Sequence, residues 1–205
     1  MNITRRALGA LLIAGGVVGL ILSSYLAFIV WNPITGITTM SEAVNIATNY
    51  LNSLNNKNLA IDEIEEYQYN FYIVYYEKST GIGAFEMIID KPSTSGPITM
   101  WGYGDIRPEP GPNMMWNTKY GMMGFTTGAT TITVDQAKGY AQGYLDSHIA
   151  VAKVGDVHIF YGYYTLDIMK DGKIYGMLSV NAYTGDVWYH NWHGAYIRTR
   201  EMKIE

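Results

Sequence analysis

The sequence predicts an α+β protein of two repeated units, each one helix packed on a small antiparallel sheet, behind an N-terminal transmembrane helix. Three observations carry this. Ala7 to Val30 is an uncharged apolar run, Thr39 and Thr133 open two helices with the same capping signature, and the pattern after each helix turns strand-like. The expected organisation is a cytoplasmic tip and anchor over residues 1–31, a first unit over 38–101, a Gly/Pro/Met-rich bridge over 102–130, a second unit over 131–197, and a tail over 198–205.

As a helix rising about 1.5 Å per residue, residues 7–30 extend about 36 Å, enough to cross a bilayer with some tilt. Arg5 and Arg6 precede the run and Trp31 closes it. That bias keeps the N-terminus in the cytoplasm and the bulk of the chain outside. Thr4 to Leu8 loosely resembles a twin-arginine export signal, and cleavage after Ala27 is conceivable. The run is longer than a secretory h-region, so a retained single-pass anchor in the cell membrane is expected.

Thr39-Met40-Ser41-Glu42 and Thr133-Val134-Asp135-Gln136 are both capping boxes. The runs behind them match at a constant offset. Ala43 pairs with Ala137, Ile46 with Tyr140, Ala47 with Ala141, Tyr50 with Tyr144 and Leu51 with Leu145, all on one helical stripe. In the first unit, Tyr67 to Glu77 and Ile82 to Asp90 read as strands around a turn at Lys78–Gly81. In the second, Val157 to Lys170 leads into Asp171-Gly172, a two-residue hairpin signal, with return strands over Ile174 to Asn181 and Val187 to Trp192. A sheet covered by one helix has a second face, which its tyrosines suggest packs on the other unit or on a partner.

The second meander closes on Val180-Asn181-Ala182-Tyr183-Thr184-Gly185-Asp186-Val187. That ending, after a single capped helix, resembles the PepSY domain, whose pattern is hydrophobic–Asp–Ala–x–Thr–Gly–x–Val. Asn181 replaces the usual acid, and the first unit matches in outline through Ile89-Asp90 and Ser95-Gly96-Pro97-Ile98. The resemblance implies a non-catalytic extracytoplasmic domain that binds or restrains a partner, with no shared catalytic residues.

Composition narrows the function further. Eighteen tyrosines among 205 residues suit aromatic-faced strands, and zero cysteines exclude disulfides and thiolate metal sites. A formal net charge of −4 argues against nucleic acid. Hydrolase, P-loop and dinucleotide signatures are missing. Glu63, Glu65 and Glu66 read as a solvated acidic edge, and Asp167 shows no acid–base partner.

Two groups remain as metal candidates. Met114, Met115, Met122 and Met123 supply soft thioethers that select Cu(I), although methionines also pack on rings such as Trp116. His190 and His193 would point to opposite faces of a continuous strand, and converge only if that strand ends near Asn191. His148, at a helix C-terminus, and His158, in a strand, read as structural. Trp116, Trp188, Tyr189 and Trp192 are candidate partner-binding aromatics. The functional expectation is a non-enzymatic, membrane-anchored accessory protein that engages a membrane or secreted partner. The alternative is a copper-handling protein using the bridge methionines.

Overall fold

Both capping boxes form in the computed structural model, which describes residues 37, 39–92, 104–121 and 130–203. In α1 (Met40–Ser53) the Thr39 hydroxyl accepts from the Glu42 amide while the Glu42 carboxylate reaches back to the Thr39 amide. A single turn, α2 (Asn113–Trp116), lies in the bridge. In α3 (Val134–His148), Thr133 and Gln136 repeat the capping exchange. The matched stripe faces inward: Ala43, Ala47, Ala137, Ala141 and Leu145 are fully buried. Tyr140 departs from it and lies against the turn at Gly185.

Each long helix covers one face of a meander. Under α1 run β1 (Leu59–Tyr67), β2 (Asn70–Glu77) and β3 (Gly83–Asp90), to which β4 (Ile106–Pro108) adds a short fourth strand. Under α3 run β5 (Lys153–Phe160), β6 (Tyr163–Lys170) and β7 (Lys173–Asn181), with β8 (Val187–Tyr189) as the fourth. Asp171 and Gly172, at φ 53° and 74°, make the left-handed turn that an Asp-Gly pair favours.

Three expectations need correction. The two units do not keep separate small sheets. Their strands form one mixed sheet in the order β8-β7-β6-β5-β3-β2-β1-β9, with β4 on β3, joined across the units by the single pair Gly83–Phe160. Gly83 permits the join, because the Phe160 ring stands 2.5 Å from where a Cβ would be. Second, residues 198–205 are not simply a tail, since β9 (Tyr196–Glu201) pairs antiparallel with β1. Third, Glu63, Glu65 and Glu66 are not a solvated edge. They lie within β1, nearly buried, because β9 covers that edge and the second unit faces it. The anchor expected over residues 7–30 and the candidates Met122 and Met123 lie outside the described residues. Among the described residues no helix is long and apolar enough to cross a membrane.

The faces that the helices leave open meet each other. Tyr72, Val74 and Ile88 from one unit cluster with Phe160, Tyr163 and Met177 from the other, flanked by Trp116, Trp192 and Tyr196. Buried phenols must place their hydroxyls. Those of Tyr72 and Tyr163 both go to one carboxylate, Glu86, and a polar centre forms around it.

Candidate metal centre

The pairing registers show the two meanders to be equivalent strand by strand. Tyr72 faces Ile88 across β2–β3 as Thr165 faces Ser179 across β6–β7. The fourth strands pair at matching places too, Pro108 opposite Met87 and Tyr189 opposite Leu178. The next residue therefore holds the same position in each unit: Glu109 in the first, His190 in the second. Both side chains are fully buried, and Glu109 Oε1 lies 3.0 Å from His190 Nδ1.

His193 joins them because β8 stops at Tyr189, short of the Trp192 expected from alternation. The turn that follows swings His193 inward until its Nε2 is 2.9 Å from the same Glu109 oxygen. On the other side, Glu109 is fixed between Pro108 and Pro110. Gly111 follows at φ 97°, with the Trp188 indole nitrogen 2.8 Å from where its Cβ would be. Only glycine fits both constraints. Pro112 then starts α2, which brings Asn113 into the centre.

Neighbouring side chains fix the ring hydrogens of both histidines. Asn70 Nδ2 donates to the Trp192 carbonyl at 3.1 Å, so its Oδ1 faces His193 Nδ1 at 2.7 Å, and that nitrogen carries the hydrogen. For His190 the logic runs through Glu86. Glu86 Oε1 accepts from Tyr72 and Thr165, both at 2.5 Å, and Oε2 from Asn113 at 2.6 Å and Tyr163 at 3.0 Å. Burial, and next the charge of Glu109, raise Glu86 to about 7; above that pH it is a carboxylate that only accepts. Thr165 must then donate to Glu86, Ser179 to Thr165 at 3.0 Å, and His190 Nε2–H to Ser179 at 2.9 Å.

What remains are the inner ring nitrogens, His190 Nδ1 and His193 Nε2, at 3.0 and 2.9 Å from the same Glu109 oxygen. His190 Nδ1 makes no hydrogen bond despite its proximity to Glu109. Burial holds His193 below its usual pKa. Burial would raise Glu109, but the two imidazoles bring it down to about 2. A carboxylate and two inner ring nitrogens thus meet at one point, a set of donors of the kind that transition-metal sites use. The three ligand atoms lie within 4.8 Å of one another, and the group could hold a metal ion. Outward-facing ring N–H groups held by neighbouring acceptors are the usual support of metal-bound histidines.

The other candidates lie elsewhere. Met114 lines a groove with Tyr50, Phe85, Met87 and Tyr120, and Met115 is 58% exposed. Tyr189 packs on the core beneath α3, and Trp116 is partly buried in the cluster between the units. Trp192 stacks on His190 with ring centres 4.8 Å apart, while Trp188 is exposed. His148 caps its helix through the Tyr144 carbonyl, and His158 pairs with Glu63 at 2.9 Å. Sequence reasoning missed Glu109, Asn70, Ser179 and Glu86. The one signal for Glu109 was an acid wedged between two prolines. No family model, curated protein or solved structure matches this chain.

Proposed function

We propose that the chain is a non-enzymatic metal-binding protein in which a divalent transition ion, held by Glu109, His190 and His193, fastens two PepSY-like units into one partner-binding body. The anchor at residues 7–30 would carry that body outside the membrane. One observation supports the metal above all: Asn70 and Ser179 occupy both outer ring nitrogens, and the two inner nitrogens stand 3.0 and 2.9 Å from one Glu109 oxygen.

Two imidazoles and a carboxylate suit zinc, with Cu(II) the strongest competitor by the Irving–Williams order. Cu(I), which the bridge methionines would select, prefers softer donors than these. Full burial argues for a structural ion, since catalytic zinc keeps an open position. Asn113 supports the centre from outside it: its Nδ2 lies 3.2 Å from Glu109 Oε2 and 2.6 Å from Glu86 Oε2, as a donor to both carboxylates. Exposed Tyr69, Tyr175 and Trp188 offer the aromatic anchors that a partner surface uses.

Calorimetric titration of metal-stripped protein with Zn²⁺, and separately with Cu²⁺, tests the centre. One equivalent should bind, and Glu109→Gln should abolish the binding. Wild-type protein that takes up neither ion would sink the proposal.

A further inference from the structure

The equivalence of the two meanders extends to their irregularities. Tyr76 faces Gly83 as Met169 faces Ile174, and in each strand the next residue, Ala84 or Tyr175, is bulged out of the register. Ile174 is therefore the counterpart of Gly83. Along β3 the outer edge is occupied to its end. β4 pairs with Met87–Ile89, the Glu109 amide donates to the Glu86 carbonyl at 3.3 Å, Asn117 Nδ2 donates to the Ala84 carbonyl at 2.7 Å, and β5 joins at Gly83. β7 repeats only the first two of these. β8 pairs with Leu178–Val180, and the His190 amide donates to the Met177 carbonyl at 3.1 Å. Among the described residues no strand takes the place of β5 at Ile174, and no side chain takes that of Asn117 at the Tyr175 carbonyl. Ala84 is fully buried, whereas Tyr175 is 45% exposed. A groove of about 480 Å³ lies along this edge, lined by Ile174, Tyr175, Gly176, Tyr189 and Tyr196.

The chain itself does not fill the open place. Glu65 faces Tyr72 as His158 faces Thr165, so β1 is the counterpart of β5 and Tyr67 that of Phe160. That edge of β1 is already taken by β9, with Tyr196 opposite Tyr67. A second copy meets the same obstacle, because its β1 carries β9 as well. Ile174 adds a steric filter. The Phe160 ring lies over Gly83 only because that residue has no Cβ, and Ile174 sets a whole side chain at the corresponding place. What fits is a strand from another protein with a small residue facing Ile174.

The geometry points to the outer edge of β7 at Ile174–Gly176 as the docking site for an extended segment of a protein partner, one that pairs its backbone with the strand and sets a glycine or alanine against Ile174. It rests on the partner-binding half of the function proposed above and does not use the metal. Backbone pairing supplies the affinity. Tyr175, with Lys170 Nζ 5.2 Å from its ring centre, forms an aromatic wall together with Tyr189 and Tyr196. Lys173 and the bulge at Tyr175 discourage indiscriminate edge pairing, yet the same bulge in β3 does not prevent the join to β5.

The probe is the peptide of residues 156–162, the end of β5 that joins β3, carrying Phe160→Gly. Titrated into the isotope-labelled full chain, it should shift the amide resonances of Lys173–Met177 and slow their hydrogen exchange. The unsubstituted peptide should bind at least about tenfold more weakly, because its ring meets Ile174. N-methylation of the Phe160→Gly peptide should abolish binding, and Tyr175→Lys in the protein, a change at an exposed position, should weaken it. Failure of the Phe160→Gly peptide to bind, or binding that N-methylation leaves intact, overturns the proposal. Self-association of the chain through the same amides makes the occupant a second copy and overturns it too. Zn²⁺ titration of the same samples separates the two readings. Uptake of the ion without peptide binding removes the docking site and leaves the metal centre standing, and peptide binding without uptake does the reverse.

Discussion

A single oxygen, Glu109 Oε1, is shared by two imidazoles, so small changes in the groups that orient those rings should register as changes in metal affinity. Asn70→Ala and Ser179→Ala each leave all three ligands in place but release one ring. Affinity for Zn²⁺ should fall about 10–100-fold in each, read by competition with a chromophoric chelator, while unfolding of the metal-free protein shifts far less. Unchanged affinity in both would mean the rings are oriented by packing alone. Glu86 has a different duty, since removing it takes away the acceptor that the hydroxyls of Tyr72, Tyr163 and Thr165 and the amide of Asn113 share. Glu86→Ala should lower stability by about 3–5 kcal/mol in urea unfolding. At this scale the sequence revealed the histidines and missed their partner. His190 and His193 are neighbours in the chain, whereas Glu109 meets them only through the folding of the two units onto each other.

The elements that were legible are those whose cause is local. The capping boxes, the matched helical stripe and the Asp171-Gly172 turn each need only a few consecutive residues, and all three form. Because the caps lie in separate units, Thr39→Ala and Thr133→Ala should each destabilise by about 1 kcal/mol, and the double variant by their sum. A clear departure from additivity in denaturant melts would show the units to be coupled through their helices. Gly111→Ala should do worse than a surface glycine change. Its φ of 97° and the adjacent Trp188 leave a methyl no room, and the displaced segment carries Glu109 and Asn113. Loss of metal binding together with stability is the expected result, checked by titration and thermal melting. β9 and the acidic part of β1 were illegible for the opposite reason. Tyr-Ile-Arg-Thr-Arg-Glu has no apolar face, and three glutamates look solvated until distant strands cover them.

Across the whole molecule, charge buried between the units sets a pH dependence. Glu65 is pushed up to about 8, by burial first and then by Asp167 and Glu63. Asp167 rises to about 7, again chiefly by burial. An acid raised in the folded state begins to oppose folding as the unfolded chain ionises, from about 4.5 for Glu65, and the effect grows until its folded value is passed. Burial would lower His158, but its Glu63 partner lifts it to about 9, so its contribution is full below 6.5 and is lost as pH rises through 9. These trends agree in sign. Glu77 acts at the acid end: burial opposes its charge, yet Lys119, Tyr120 and Tyr161 bring it down to about 2, so its contribution fades as pH falls from 4.5. In chelator-containing buffer the thermal midpoint should peak near pH 5 and decline towards pH 9, with Glu65→Gln flattening the decline. A flat wild-type profile would show that these carboxylates are not enclosed together. The α+β class and the repeat were readable in advance, but the continuous sheet was not. Its join is one glycine against one phenylalanine, which no periodicity announces.

The equivalence of positions 109 and 190 has a consequence in symmetry. Residues that hold the same place in two identical copies related by a twofold axis, and that touch each other, lie at that axis. In a homodimer of one unit, the two sides of such an axis must carry identical side chains, carboxylate against carboxylate or imidazole against imidazole. Two units in one chain escape that restriction. Position 109 is free to be an acid while position 190 is a base, and a heteroleptic cation site becomes available at a place where a symmetric assembly could only set like against like.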